Sequence, residues 1–127
     1  MSISLRTDRP NNLTTFIVRG EILADEILSA LKLFYENPEQ PATLNILIDL
    51  REIHSAPTIK DEDLSRIVSY SSNHADKRKG GKTAMVARSD FEFYMSKKYE
   101  LFTQLKGLSI TVVVFRSFGE AMMWLEK

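Results

Sequence analysis

The chain has 127 residues, of which 43% are hydrophobic and 27% charged, a composition typical of a soluble globular protein. Its seventeen basic and seventeen acidic residues cancel, so no overall field favours nucleic acid or an anionic membrane as a partner. The absence of cysteine excludes disulfides, thiolate catalysis and most zinc motifs. We predict a single domain over residues 1–127, with neither a metal site nor another cofactor.

The chain shows none of the sequence signals that direct proteins into or across membranes. No apolar run approaches the roughly 20 residues that a membrane-spanning helix needs. The first residues contain no charged stretch followed by an apolar one, so no signal peptide is predicted. We therefore expect a cytoplasmic protein without stable membrane insertion.

The first elements in chain order are a predicted β-hairpin and a helix. Residues 2–7 and 13–19 have the alternation of strands, and the segment between them contains Pro10 and two asparagines, which is typical of an antiparallel hairpin. From Ala24 the apolar residues recur at spacings of three and four, which predicts a helix that stops before Pro38.

The next stretch, residues 44–51, is an almost continuous apolar run rich in β-branched residues. This pattern predicts a strand buried in the middle of a parallel sheet, with polarity returning at Asp49 and Arg51. We predict that a second helix begins at a cap formed by Thr58 and Asp61.

The remaining elements are a fourth strand at residues 83–87, a third helix, a fifth strand at residues 110–115 and a last helix. Capping-box spacing predicts the starts of the two helices at Ser89 and Ser117. The predicted core stripe of the third helix consists of Phe91, Met95, Tyr99, Phe102 and Leu105.

The predicted order of elements is β-β-α-β-α-β-α-β-α. Strands that are joined through helices run parallel with right-handed crossovers, whereas the hairpin is antiparallel. The sequence therefore predicts an α/β fold with a mixed five-stranded sheet.

No catalytic motif is present. His54 and His74 lack the neighbouring residues that a metal site or a general base needs, and there is no GxSxG elbow. The Gly-Gly-Lys-Thr stretch at residues 80–83 precedes a predicted strand, whereas a phosphate-binding loop follows one. We therefore expect no enzymatic activity.

Four polar residues at and after the central strand are the candidate binding or regulatory residues: Asp49, Arg51, Ser55 and Thr58. Functional groups in open α/β sheets gather beyond the carboxyl ends of strands. A structural role is the alternative, with Asp49 bonded to backbone N–H groups or to Arg51 and the two hydroxyls capping a helix. A phosphate on either hydroxyl would meet the positive end of that helix, so both interpretations stay open.

The order of elements and the stretch Ile-Leu-Ile-Asp-Leu-Arg-Glu-Ile at residues 46–53, ahead of a helix, resemble the STAS domain of sulfate transporters and anti-sigma factor antagonists. Further similarity lies in Ser-Asp-Phe-Glu-Phe at residues 89–93, Val-Phe-Arg at 114–116 and Glu-Ala-Met-Met-Trp-Leu at 120–125. The chain is most similar to the bacterial STAS-like family related to the sporulation stage II anti-sigma factor antagonist. The resemblance implies a (βα) superhelix, which CRAL-TRIO lipid-transfer domains share distantly.

The resemblance also implies a non-enzymatic regulatory or protein-interaction role. The antagonists carry a serine that a partner kinase phosphorylates, within an Asp-Ser-Ser/Thr-Gly motif after the central strand. This chain lacks the motif's aspartate, serine pair and glycine, and Thr58 stands where a phospho-acceptor would.

The alternative hypothesis is a carrier of a small apolar or anionic ligand. A closed apolar cavity would favour the carrier, and a flat exposed patch would favour the interaction module.

The last expectation concerns self-association. If the second to fifth strands follow one another across the sheet, the three connecting helices lie on one face. We expect the other face, which carries Ile17 and Leu47, to stay uncovered. Phe93 lies nearly opposite the predicted core stripe of its helix. We predict a homodimer through the uncovered sheet face or the Phe93 side of the third helix.

Overall fold

The computed structural model describes residues 3–54 and 59–127. Its strands are β1 (Ile3–Asp8), β2 (Leu13–Gly20), β3 (Asn45–Ile53), β4 (Lys82–Val86) and β5 (Thr111–Phe115). Its helices are α1 (Ala24–Glu36), α2 (Asp61–His74), α3 (Asp90–Lys106) and α4 (Phe118–Leu125), and a short 3-10 helix (Ala75–Arg78) follows α2. The predicted α/β class and order of elements are confirmed.

The five strands form one sheet in the order β1-β2-β3-β4-β5. The β1–β2 pair is antiparallel and the other pairs are parallel, as predicted. The central strand β3 continues past Arg51 to Ile53, which is further than the sequence indicated. Asp49 therefore lies inside the sheet, opposite Ile17 of β2 and Val86 of β4, rather than at the end of its strand.

The main hydrophobic core lies between the sheet and the three connecting helices α1, α2 and α3. Its buried members include Phe16, Ile46 and Leu50 from the sheet and Phe34, Leu64 and Tyr99 from the helices. Right-handed crossovers place all three helices on this face, which confirms that part of the expectation.

The opposite face of the sheet is not uncovered, and this expectation was wrong. The C-terminal helix α4 packs against it, so that a second core joins Leu47, Ala84 and Val86 of the sheet with Ala121 and Leu125 of α4. Leu47 is fully buried there and is not available as an interface residue. Crossover handedness constrains only helices that connect two strands, so it did not indicate where a terminal helix would pack.

The predicted core stripe of α3 is confirmed in its middle, where Tyr99 is buried and Met95 and Phe102 pack against the main core, but it was wrong at its two ends. Phe91 and Leu105 are 68% and 76% exposed, whereas the buried side of α3 carries polar residues such as Glu92 and Thr103. This side of α3 packs against the edge strand β5. The Glu100 carboxylate accepts a hydrogen bond from the backbone N–H of Val114 at 3.2 Å, because an edge strand has N–H groups that no neighbouring strand bonds.

The capping predictions for the last two helices are confirmed. The Ser89 hydroxyl accepts a hydrogen bond from the backbone N–H of Glu92 at 3.4 Å, and the Ser117 hydroxyl accepts one from that of Glu120 at 3.3 Å. These bonds use N–H groups that have no partner inside the helix. No helix within residues 3–54 and 59–127 is both long and apolar enough to span a membrane.

The predicted start of α2 was wrong. The helix begins at Asp61 with Lys60 at the N-cap position, two residues later than predicted. The carboxylate of Asp63 accepts a hydrogen bond from the Lys60 backbone N–H at 3.1 Å, and a carboxylate in the first turn is favoured by the helix dipole. Ser55 and Thr58 lie outside the described residues.

Candidate functional site

Asp49 and Arg51 are joined in an ion pair on the α4 side of the sheet. They are two residues apart in β3, so their side chains point to the same face. The guanidinium donates from Nε to Oδ1 and from Nη2 to Oδ2 of the carboxylate, each at 2.9 Å, and the Arg51 backbone N–H donates to Oδ1 at 3.0 Å. The predicted pairing of Asp49 with Arg51 is confirmed, and its geometry is bidentate.

The ion pair holds both side chains in their charged forms. Burial raises the pKa of Asp49, whose side chain is 8% exposed, but the hydrogen bonds and the charge of Arg51 outweigh burial and the pKa is lowered. The hydrogen bond to Asp49 raises the pKa of Arg51. This arrangement is suited to holding a fixed positive charge and not to transferring a proton.

Arg51 also lies against an aromatic ring. Its guanidinium carbon is 4.5 Å from the ring centre of Phe118, the first residue of α4, and its side chain remains 37% exposed. The guanidinium is thus fixed by a buried carboxylate and by a cation–π contact while part of it faces solvent. The tertiary structure brings together Asp49, Arg51 and Phe118, of which the sequence indicated only the first two.

A second arginine with a similar arrangement stands after β5. The guanidinium carbon of Arg116 lies 4.3 Å from the ring centre of Phe93, and its Nη2 donates to Asp90 at 2.8 Å. Phe93 is half-buried beneath this arginine and packs against the main core, so its proposed position away from the core was wrong. Ile17 is also half-buried, beside Asp49 in the sheet.

The two histidines are not brought together. The backbone N–H of His54 bonds to the carbonyl of Gly20 at 2.7 Å, whereas the ring of His74 stacks on Tyr70 and Tyr35 at the other end of α2. Within the part of the chain that the structure describes, no three histidine or carboxylate residues are placed to hold a metal ion.

Sequence reasoning missed an exposed apolar surface on α3. Phe91, Tyr94 and Leu105 are each at least 68% exposed, and Leu101 is about half-exposed. The available signal was their spacing, because positions 91, 94, 98, 101 and 105 follow a three-four repeat with Lys98 in the middle. A lysine within an apolar stripe indicates a solvent-facing surface more than a core.

The main core contains a partly open apolar cavity of about 60 Å³. Its lining includes Ile22 and Ile48 from the sheet side and Leu64, Met95 and Tyr99 from α2 and α3. Pockets for small ligands typically measure about 300 to 1,000 Å³, so this cavity is far smaller than a lipid-binding site.

No protein-family model matches the chain, and no curated protein matches it. A solved structure does: an uncharacterised protein from Shewanella loihica PV-4, of the DUF3478 family, which has a SpoIIAA-like fold. The two chains are 13% identical, and the match covers 97% of this chain and 91% of the other, with a TM-score of 0.58. At an identity this low, the match supports a shared fold but does not support a shared function. The chain therefore has a SpoIIAA-like fold, which agrees with the STAS-like architecture that its sequence implied.

Proposed function

We propose that this protein is a non-enzymatic regulatory module that binds a protein partner through the surface around Arg51 and Phe118. The observation that carries the proposal is the position of Arg51, which Asp49 holds in a bidentate pair and Phe118 supports from its ring face. Both side chains remain partly exposed.

Such an arrangement suits protein recognition for a physical reason. Arginine and aromatic residues are enriched among the residues that dominate binding energies in protein interfaces. An arginine that is already ordered loses less side-chain entropy when a partner binds than a mobile one does. Asp49 therefore acts as the support of the proposed anchor and does not contact the partner itself.

Ser55 and Thr58 are the proposed positions of regulation. They follow β3 by two and five residues, and Arg51 lies two residues before the end of that strand. A phosphate on either hydroxyl would add about two negative charges near the proposed anchor in the chain, which would change its attraction for an acidic partner surface. This proposal rests on the sequence and on the resemblance to the antagonists.

The carrier hypothesis has weaker support. The cavity of about 60 Å³ is apolar, as a carrier requires, but it is partly open and several times smaller than typical ligand pockets. Native mass spectrometry of the protein purified from its own host tests this hypothesis directly. A stoichiometric small-molecule adduct on the 14.6 kDa chain would support the carrier.

Site-specific photo-crosslinking in host cells tests the interaction module. A photoreactive amino acid replaces Phe118 in one variant and Met123, an exposed residue of the same helix, in the matched control. We expect a discrete crosslinked protein from position 118 and not from position 123. Asp49→Asn and Arg51→Gln should each reduce the yield at least fivefold. Equal crosslinking from both positions, or insensitivity to both substitutions, would contradict the proposal.

A further inference from the structure

The outward side of α3 carries an apolar ridge. Phe91, Tyr94, Leu101 and Leu105 occupy four positions of a three-four repeat whose middle position is Lys98, and all four are exposed. This repeat places them in one stripe, and a stripe of this kind in a soluble helix normally packs against another helix. The feature is independent of the Arg51 surface, because it lies on the opposite side of the sheet.

A groove runs beside the ridge, between α2 and α3. One hollow of about 140 Å³ is lined by Leu64, Met95 and Phe91, among others, and a second of about 340 Å³ is lined by Val68, Phe102 and others. Helices pack by inserting the side-chain ridge of one into the groove of another. Ridge and groove lie side by side here, so two copies of this surface can each supply both parts.

The size of the ridge fits a symmetric dimer. A fully exposed Phe or Tyr offers about 150 to 250 Å² of surface, so four side chains that are half to three-quarters exposed offer roughly 400 to 500 Å². Covering this area on two copies removes roughly 800 to 1,000 Å² from solvent, which is at the lower limit for a specific interface.

The charges at the two ends of this surface are complementary. Glu62 stands at the N-terminus of α2 and Lys106 at the C-terminus of α3, whereas Asp61 is already paired with Lys98 of α3. The two helices run in the same direction, because each connects two parallel strands on one face of the sheet. The surface is therefore acidic at one end and basic at the other, and a two-fold axis across the helices brings opposite charges together at both ends.

We infer that this surface, termed the α2–α3 face and made of the ridge residues Phe91, Tyr94, Leu101 and Leu105 with the groove beside them, is the interface between two copies of the chain. At this interface the α2 and α3 helices of one copy run in the opposite direction to those of the other copy. The predicted homodimer thus remains a proposal, but its interface is now placed on the α2–α3 face. It no longer includes Leu47, which is buried, or the Phe93 side of α3.

Sedimentation equilibrium with single substitutions tests this interface. We expect the wild type to form a dimer of about twice 14.6 kDa at micromolar concentration, and Leu101→Glu or Leu105→Glu to raise the dissociation constant at least 100-fold. Leu33→Glu on α1 and Met123→Glu on α4 are matched controls, because both leucine and methionine are exposed away from the α2–α3 face. These controls should leave the dissociation constant within twofold.

A charge exchange tests the direction of the two copies. Glu62→Lys and Lys106→Glu should each weaken the dimer about five- to twentyfold, because the symmetric interface contains the contact twice. The double variant should recover most of the lost affinity.

A wild-type chain that remains at 14.6 kDa up to 100 µM overturns the inference, as does a dimer that tolerates both Leu101→Glu and Leu105→Glu. Circular dichroism of each variant establishes that it is folded, and the use of two exposed positions separates interface loss from misfolding. Failure of the charge exchange alone overturns the antiparallel arrangement. Crosslinking at position 118 is unaffected by any of these results, so the two proposals stand or fall separately.

Discussion

Two arginines at opposite ends of the sheet differ in their burial and in the groups that bond them. Arg78, at the amino ends of β3 and β4, is 1% exposed. Its guanidinium donates to the carbonyls of Leu44 and Lys82 and to the hydroxyls of Thr83 and Tyr35, at 2.8 to 3.3 Å. Arg51, towards the carboxyl ends, is paired with a carboxylate and is 37% exposed.

The difference separates a structural end of the molecule from an end that is available for binding. Around Arg78 the polar groups are bonded to each other and excluded from water, so this arginine joins the segments before β3 and β4. Around Arg51 the charged groups are ordered but remain in reach of a partner. Binding residues in α/β sheets generally lie at the carboxyl ends of strands, which agrees with the proposed role of Arg51.

The largest expected effect is at the amino ends. Arg78→Leu leaves two partly buried carbonyls and two buried hydroxyls without their donor, so we expect a loss of about 3 kcal/mol or more in the free energy of unfolding. Urea denaturation followed by circular dichroism measures it. Lys79→Ala is the control, because Lys79 is adjacent and exposed. A loss below 1 kcal/mol for Arg78→Leu would remove the contrast between the two arginines.

A second substitution tests the same end without touching a charge. A Cβ atom on Gly81 would lie 2.2 Å from the carbonyl oxygen of Leu44, so the backbone must shift. We expect Gly81→Ala to lower the free energy of unfolding by about 2 kcal/mol, as overpacking does elsewhere. Gly119→Ala is the matched control, since its added Cβ comes no closer than 3.6 Å to the Ser117 hydroxyl. Equal melting temperatures for the two variants would contradict this expectation.

At the carboxyl ends we expect a smaller and pH-dependent effect. Asp49→Asn should lower stability by about 1 to 2 kcal/mol at pH 7, because Arg51 is partly exposed and can be rehydrated. The pKa of Asp49 is lower in the folded protein than in the unfolded chain. The contribution of the ion pair is therefore complete above the unfolded value of about 3.9 and is lost as the pH falls through the folded value.

Urea titrations of the wild type and Asp49→Asn between pH 7 and pH 2 measure this dependence. The stability difference between the two proteins should stay constant from pH 7 to about pH 5 and shrink in acid. A difference that does not change with pH would show that Asp49 acts through packing and not through its charge.

The smallest expected effect is at the start of α4, next to Phe118. Ser117→Ala removes the acceptor of the Glu120 N–H and should cost about 1 kcal/mol, measured as a lower midpoint of urea unfolding. Ser117→Asp should restore the stability, because aspartate also accepts this bond and carries a favourable charge at a helix N-terminus. If the aspartate variant is no more stable than the alanine variant, the cap contributes nothing measurable.

Much of the fold could be predicted from local patterns. The apolar run around Ile46 predicted the central parallel strand, and the serines at positions 89 and 117 predicted two helix starts. The pairing of Asp49 with Arg51 was also accessible, since residues two apart in a strand share a face. These features depend on neighbours in the chain, so the sequence carries them directly.

The functional surfaces were less accessible to sequence analysis. Phe118 contacts Arg51 across 67 residues of chain, and only the packing of α4 onto the sheet brings them together. The periodicity of α3 correctly showed that Phe91 and Leu105 share a face, but it did not show that this face is the outer one. A period determines which residues lie together and not which direction they face.

The sequence by itself determined the class of fold and the order of its elements, and it offered the Asp49–Arg51 pair as one of two structural roles for Asp49, because these features follow from backbone preferences and from contacts between near neighbours. Only the tertiary structure decided that α4 buries Leu47 and that the polar side of α3 packs against the edge strand. Each outcome has its own physical reason. A terminal helix is not constrained by a crossover, and the open N–H groups of an edge strand make a polar residue such as Glu100 more favourable there than an apolar one.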